Sequence, residues 1–406
     1  MTAPGIVIIG AGQAGCEAAF ALRQYGVDAD ITLIGDEAYL PYRRPPLSKA
    51  FVSSTQAPES TFIKPLAAFA KAGIGIELSV TADKIDRRHR QVVLSDGRSL
   101  AYSQLILATG GRARQLPLPG ADRANVFRLR SLNDALKLRP YFKPEQRLVV
   151  IGGGYIGLEI AALARHNSMA VSVLEAAPRL LARVAQPLLA KFLADVHRQA
   201  GVDVRLQAQV LGLVGNAERV EAVRCADGAI AADLVLLSVG LQANSELAAA
   251  AGLSVDDGVL VNLRQQTSDP TIYAIGDCAR AEHGFLGGQR HLESVPNAIE
   301  QGRRVAQVIA GQPLADPSAP WFWSDQYDLK LQMVGLSAGF DQQIVRGDPA
   351  SRSFLAIYLQ HGRVIAIDAV NRAQDFAAAK TIVNQRRSID PERLGDDQQP
   401  LAALLA

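Results

Sequence analysis

Ile6-Val7-Ile8-Ile9-Gly10-Ala11-Gly12-Gln13-Ala14-Gly15-Cys16-Glu17-Ala18-Ala19-Phe20-Ala21-Leu22-Arg23 decides the fold. The apolar run before Gly10 predicts a buried strand. The apolar residues at helical spacing from Cys16 predict a helix. A second strand, Ile31-Thr32-Leu33-Ile34, ends at Gly35-Asp36-Glu37. This is a β-α-β unit of about 30 residues, the length of a mononucleotide-binding half. Gly10 permits the tight turn, Gly12 lets backbone approach a pyrophosphate, and Gly15 lets helix and strand pack closely. The helix N-terminus offers unpaired N–H groups to phosphate oxygens. Asp36 falls about 20 residues past Gly15, where an acid meets ribose hydroxyls. Any tight strand–helix turn can use glycines. The weight lies in strand, turn, helix, strand and acid all standing in order.

The pattern returns. Leu148-Val149-Val150-Ile151 is a strand, Gly152-Gly153-Gly154-Tyr155-Ile156-Gly157 the turn, 158–165 the helix, and Val171-Ser172-Val173-Leu174 a strand ended by Glu175. Residues 148–164 are apolar enough to suggest a membrane span, but three glycines and Glu159 in the middle fit a buried strand–turn–helix better. Glu175 bears on cofactor choice. A carboxylate accepts hydrogen bonds from the 2′-OH of NADH, whereas beside the 2′-phosphate of NADPH it sets like charges together. That repulsion reaches several kcal/mol at about 4 Å in a partly screened site, with about 1.4 kcal/mol per tenfold of affinity. NADH is therefore expected. Arg179 and Arg183 temper this, since arginine accommodates a phosphate; they read equally well as solvated surface charge.

Between the two units, Gln104-Leu105-Ile106-Leu107-Ala108-Thr109-Gly110-Gly111 reads as a strand running into a glycine turn, and 233–240 closes the second unit in the same way. Pro117, Pro119 and Gly120 mark a domain crossing. Ile272-Tyr273-Ala274-Ile275-Gly276-Asp277 is a further strand. Residues 314–320 read as a linker, and 330–334, 343–346, 353–360 and 364–370 as strands of a third, α+β domain.

The chain of 406 residues is 49% hydrophobic and 20% charged, ordinary for globular proteins, with 34 glycines and few aromatics. A net charge of +2 gives no support to nucleic-acid binding. Cys16, Cys225 and Cys278 form neither a disulfide framework nor a C-x-x-C pair and read as packing thiols. A cytoplasmic protein without signal peptide or membrane partner is expected. The six histidines show no ligand spacing, so no metal site is expected.

Two dinucleotide sites in one chain point to one flavin and one nicotinamide, and so to an oxidoreductase taking hydride from a reduced nicotinamide. Periodicity does not name the electron acceptor.

Pro41-Tyr42-Arg43-Arg44-Pro45-Pro46-Leu47-Ser48-Lys49, then Ala108-Thr109-Gly110-Gly111, then 152–157, then Gly276-Asp277-Cys278, then Pro320-Trp321-Phe322-Trp323-Ser324-Asp325-Gln326 follow in order. Over essentially its whole length the chain resembles the FAD-dependent ferredoxin reductases of bacterial cytochrome P450 and ring-hydroxylating dioxygenase systems. The resemblance implies an α/β fold of the glutathione-reductase class, with two Rossmann-like dinucleotide-binding domains and a C-terminal α+β domain. FAD would occupy residues 1–114 and 242–316, NADH residues 115–241, and residues 317–406 would cover the flavin. Position by position, it assigns Gly10, Gly12, Ala14, Gly15, Asp36, Arg44, Lys49, Ala82, Thr109, Gly110, Arg130, Asp277 and Val295 to FAD. It assigns Gly152, Gly154, Tyr155, Ile156, Gly157, Glu159, Glu175 and Gly240 to NADH. The implied partner is an acidic [2Fe–2S] ferredoxin that feeds a P450 or oxygenase.

By the same resemblance Lys49 lies near flavin N5, Glu159 near the nicotinamide, and Trp323 against one of the rings. A charged pair in a dry site would hold the two reactants in register. Lys49 also reads as a surface lysine after a Pro-Pro turn, and Glu159 as a helix residue satisfied by an arginine. A charge at an apolar helix start is costly unless paired. Trp321 and Trp323, two apart, would share one strand face; Trp321 reads as packing. Arg43-Arg44, Arg87-Arg88, Arg303-Arg304 and Arg386-Arg387 could form a basic docking face, with solvated charge the safer reading for Arg87-Arg88 and Arg386-Arg387. The rival readings are an NADH oxidase or peroxidase, which would need a cysteine that residues 41–50 lack, and a redox-sensing NADH-binding interaction protein.

Overall fold

The computed structural model describes residues 4–405. By contact the chain falls into two compact units. One takes the chain up to Arg43 with Ala57–Arg112 and Leu241–Ser318; the other takes Arg44–Gln56, Ala113–Gly240 and the chain from Ala319 onward.

In the first unit, a parallel sheet runs in the order Ile74–Glu77, Ile31–Ile34, Gly5–Ile9, Ser99–Leu107, Ile272–Ala274. Near-continuous Val, Ile and Leu suit strands covered on both faces. Ala82–Asp86 and Gln91–Leu94 continue as an antiparallel extension from Ser99–Leu107. Helices Gln13–Gln24 and Val295–Ile309 pack together on one face, their Leu22 and Val305 buried in one cluster with Ile6, Ile8, Leu33 and Ile106 of the sheet.

The second unit contains the same winding. Its parallel sheet runs Asp203–Leu206, Ala170–Glu175, Arg147–Ile151, Leu234–Leu237, Val126–Phe127. The outermost strand, Val126–Phe127, precedes the repeat in the chain, whereas its counterpart Ile272–Ala274 follows. A three-stranded antiparallel sheet, Val210–Gly215, Val220–Cys225 and Gly228–Ala231, lies beside it. The C-terminal portion is a five-stranded antiparallel sheet in the order Trp321–Gln326, Leu329–Gly335, Arg363–Val370, Ser353–Gln360, Gln342–Asp348, packed by helix Ala373–Asn384.

Both fingerprint helices begin earlier than their apolar spacing suggests, at Gln13 and Tyr155. Gly12 and Gly154 adopt extended backbone and act as N-caps, so the rest of each glycine motif lies in the first helical turn. Arg87 departs from its solvated reading. Its guanidinium pairs with Asp269 at 2.9 Å and donates to the carbonyl of Ala251 at 3.3 Å. Among the described residues no helix is long and apolar enough to cross a membrane.

Candidate functional site

The two glycine turns repeat one arrangement. Gly10 and Gly152 have φ of +117° and +108°, a left-handed region that glycine enters freely. A Cβ on Gly10 would run into the carbonyl of Ala108, and one on Gly152 into that of Ser238. A Cβ on Gly15 would strike the Gly10 carbonyl; one on Gly157 would lie 2.6 Å from the Gly152 carbonyl. Gly12 and Gly154 differ. A Cβ at either would meet no protein atom within 4 Å, so nothing in the protein demands glycine there. No side chain caps either helix. Open space over the middle glycine and uncapped N–H groups fit a dinucleotide pyrophosphate in both turns.

The acids stand where the strands end. Asp36 is exposed just past Ile31–Ile34. Glu175 closes Ala170–Glu175, and its carboxylate oxygens accept from the backbone N–H of Gly153 and of Ala177, each at 2.7 Å. Glu175 therefore shapes the glycine turn besides presenting charge, a role that spacing alone does not disclose.

Glu159, in the second turn of helix Tyr155–His166, is 5% exposed. Its partner is Lys49, not an arginine: Lys49 Nζ lies 2.9 Å from Glu159 Oε2. The Ser48 hydroxyl donates to the same oxygen, and Ser324 donates to Oε1 at 2.6 Å. Ser48 ends the 3₁₀ turn Pro45–Ser48, which two prolines pre-set, and Lys49 follows it. Arg139 holds their segment, donating to the carbonyls of Phe51 and Gln56 at 3.0 and 3.1 Å with its guanidinium 4.4 Å from the Phe51 ring centre.

Strand alternation splits Trp321–Gln326 into two faces. Trp321 and Trp323 share one, 5.7 Å apart, with Phe376 and Lys380 against Trp321. Phe322, Ser324 and Gln326 form the other, which meets helix Tyr155–His166: Tyr155 lies 4.9 Å from Phe322, and Ser324 reaches Glu159. Trp323, half-buried, is thus on the face opposite to that contact. Ser48, Ser324 and Gln326 stand in the sequence motifs without an assigned role, because polar side chains of this kind carry no periodic signal.

Thr109 and Gly110 are latched by Asn244, another residue that spacing did not single out. Thr109 Oγ1 donates to the Asn244 carbonyl at 2.7 Å, and Asn244 Nδ2 donates back to the Thr109 carbonyl at 2.9 Å. Gly276, beside Asp277, donates to the buried Gln301 side chain at 2.7 Å, and His291 contacts the Asp277 carbonyl at 2.8 Å. Val295 opens helix Val295–Ile309, capped by Ser294. Ala82 starts its strand against the core around Val7 and Ile34. Arg44 donates to the Arg130 carbonyl at 2.6 Å. Gly240 has φ of +102° and Ile156 is exposed. The three cysteines are free and buried, and burial pushes the Cys16 thiol up to about 12, out of reach of thiolate chemistry at neutral pH.

Residues 4–302 match the family model of the pyridine nucleotide-disulphide oxidoreductases. The chain belongs to that family. Residues 321–405 match the reductase C-terminal model. The chain is 46% identical to putidaredoxin reductase CamA of Pseudomonas putida, covering 99% of this chain and 96% of that one. It is 41% identical to a ferredoxin–NAD(P)(+) reductase of a Sphingomonas species, covering 98% and 96%. Its fold superposes with a TM-score of 0.97, at 44% identity and over 100% and 99% of the two chains, on a chain of the covalent putidaredoxin reductase–putidaredoxin complex. As an oxidoreductase of this family it carries both nucleotide turns without a paired cysteine among the described residues.

Proposed function

We propose that this chain is a cytoplasmic NADH-dependent ferredoxin reductase that holds FAD, takes hydride from NADH and delivers electrons singly to a [2Fe–2S] ferredoxin serving a P450 or ring-hydroxylating oxygenase. The observation that carries the reading is the pair of open glycines, Gly12 and Gly154, each at the head of an uncapped helix with an acid at the end of the following strand. The likeness to ferredoxin reductases supports the acceptor. FAD, when bound, supplies the exchange between a two-electron donor and a one-electron acceptor.

The chain's residues bind and orient. Gly10, Gly12, Ala14, Gly15 and Asp36 hold FAD, with Ala82, Thr109, Gly110, Asp277 and Val295; Arg44, Lys49 and Arg130 are assigned to the same cofactor. Gly152, Gly154, Tyr155, Ile156, Gly157, Glu175 and Gly240 hold NADH. Lys49 and Glu159 set the charge beside the reacting rings, and Trp323 supplies an aromatic face. Residues 1–114 with 242–316 form the FAD portion and 115–241 the NADH portion; 317–406 contribute Trp323 and the Ser324 contact.

Anaerobic stopped-flow absorbance tests the reading. The flavin band should bleach rapidly with NADH, far more slowly with NADPH, and return when oxidised [2Fe–2S] ferredoxin is added. Reduction by NADH without transfer to ferredoxins would refute the acceptor, and a protein purified without a flavin band would refute the first turn's assignment.

A further inference from the structure

Helix Pro187–Gln199 carries a histidine outside every feature read from the sequence. His197 is 0% exposed, and burial holds its imidazole below the usual pKa, with its hydrogen bond to Gln326 opposing. His197 Nε2 lies 2.9 Å from Gln326 Oε1, and Nδ1 lies 3.0 Å from the Tyr327 hydroxyl. Gln326 Nε2 lies 3.2 Å from Ser324 Oγ, which lies 2.6 Å from Glu159 Oε1. Five side chains thus form one line that ends on the Glu159 carboxylate.

The carboxylate sets the direction of every bond. A carboxylate only accepts, so Ser324 donates to it. The remaining Ser324 lone pairs accept from Gln326 Nε2. The Gln326 oxygen therefore faces His197 and accepts from Nε2–H, which leaves Nδ1 as acceptor for the Tyr327 hydroxyl. Turning the Gln326 amide over would draw the Ser324 proton away and leave two oxygens facing each other at Glu159. All four donors point the same way, and such chains polarise one another.

We propose that His197 and Gln326 are positioning residues for Glu159: they hold the Ser324 hydroxyl on Oε1, so that Oε2 stays with Lys49 and Ser48. The proposal rests on the assignment of Glu159 to the nicotinamide side. Losing the line frees the last torsion of Glu159 and lets its pairing with Lys49 wander.

The test uses the FAD-loaded full chain. Nitrogen-15 NMR of labelled histidines, with His197→Gln for assignment, should show His197 as the neutral Nε2–H tautomer, and Glu159→Gln should move its imidazole resonances. In stopped flow, His197→Leu should slow flavin reduction by NADH about fivefold, the scale of one net hydrogen bond, and His197→Gln, which replaces Nε2–H with an amide N–H, should recover most of the rate. Electron transfer from pre-reduced enzyme to ferredoxin should be unchanged. Should His197→Leu not accumulate, Gln326→Met breaks the same line with little change in volume and should give the same slowing. An Nδ1–H tautomer, resonances indifferent to Glu159→Gln, or a parental reduction rate in the broken-line variant would overturn the proposal. A parental rate in Glu159→Gln would instead overturn the assignment of Glu159, and the histidine spectra would then decide the line by themselves.

Discussion

Lys49 Nζ and Glu159 Oε2 lie 2.9 Å apart, the lysine side chain 24% exposed and the glutamate 5%. The pair joins the segment after the first glycine unit to the helix that opens the second. Arg44–Gln56 thereby belongs in space with the second fingerprint, although in the chain it follows the first. A carboxylate this buried needs its cation, because losing one member of a buried pair leaves an uncompensated charge.

Lys49→Met should accordingly hurt in two ways. Glu159 would keep only the Ser48 and Ser324 hydroxyls, at a cost of roughly 2–3 kcal/mol given the partial exposure of the lysine. Calorimetry of the holoprotein should show a melting point lower by several degrees. Flavin reduction by NADH should slow about tenfold or more, as expected where a charged group aligns reactants. Parental values in both would remove Lys49 from the site.

The glycines separate binding from folding. Gly12→Ala places a methyl group where no protein atom stands, so the variant should fold yet purify with little FAD. Gly15→Ala drives a methyl group into the Gly10 carbonyl and should lower the yield of folded protein itself. Circular dichroism and the flavin-to-protein absorbance ratio distinguish the two. Gly154→Ala should retain FAD while raising the dissociation constant for NADH.

Glu175→Ala should narrow the preference for NADH over NADPH. Because the carboxylate also accepts from Gly153 and Ala177, the turn should loosen, and NADH affinity should fall about tenfold, the loss of one charge-assisted contact. Titration with each nucleotide checks this; an unchanged ratio of affinities would take Glu175 out of the selection.

Asp368 gives stability an unusual pH dependence. Burial pushes its carboxyl up to about 7, with the hydrogen bond from Tyr358 at 2.9 Å opposing. Between about 4 and about 7 the folded protein keeps a proton that the unfolded chain releases, so stability falls as pH rises through that window and levels off above it. Asp368→Asn carries no charge to bury. It should be more stable than the parent at pH 8, by as much as about 4 kcal/mol, and the difference should close near pH 4. Thermal melts across that range decide the matter.

Much of the fold is legible in the sequence because its signals are local. Glycine turns, apolar strands and terminal acids lie within one β-α-β unit, and both copies form as their spacing predicts. The helix starts at Gln13 and Tyr155 are not legible in the sequence, because Gly12 and Gly154 serve as caps, which helical periodicity does not register. Arg87 reads as solvated from its neighbours alone, and only the folded chain brings Asp269 to it.

The surroundings of Glu159 belong to another class of information. Residue types predict that a buried acid needs a partner, and alternation predicts that Trp321 and Trp323 share a face. Neither tells which element that strand's opposite face meets. Ser48 and Lys49, Ser324 and Gln326, and His197 come from three stretches far apart in the chain, and packing alone sets their distances of about 3 Å. Local chemistry therefore settles the two nucleotide turns and the need for charge compensation. Long-range packing settles which side chains compensate the charge, and in which direction their protons point.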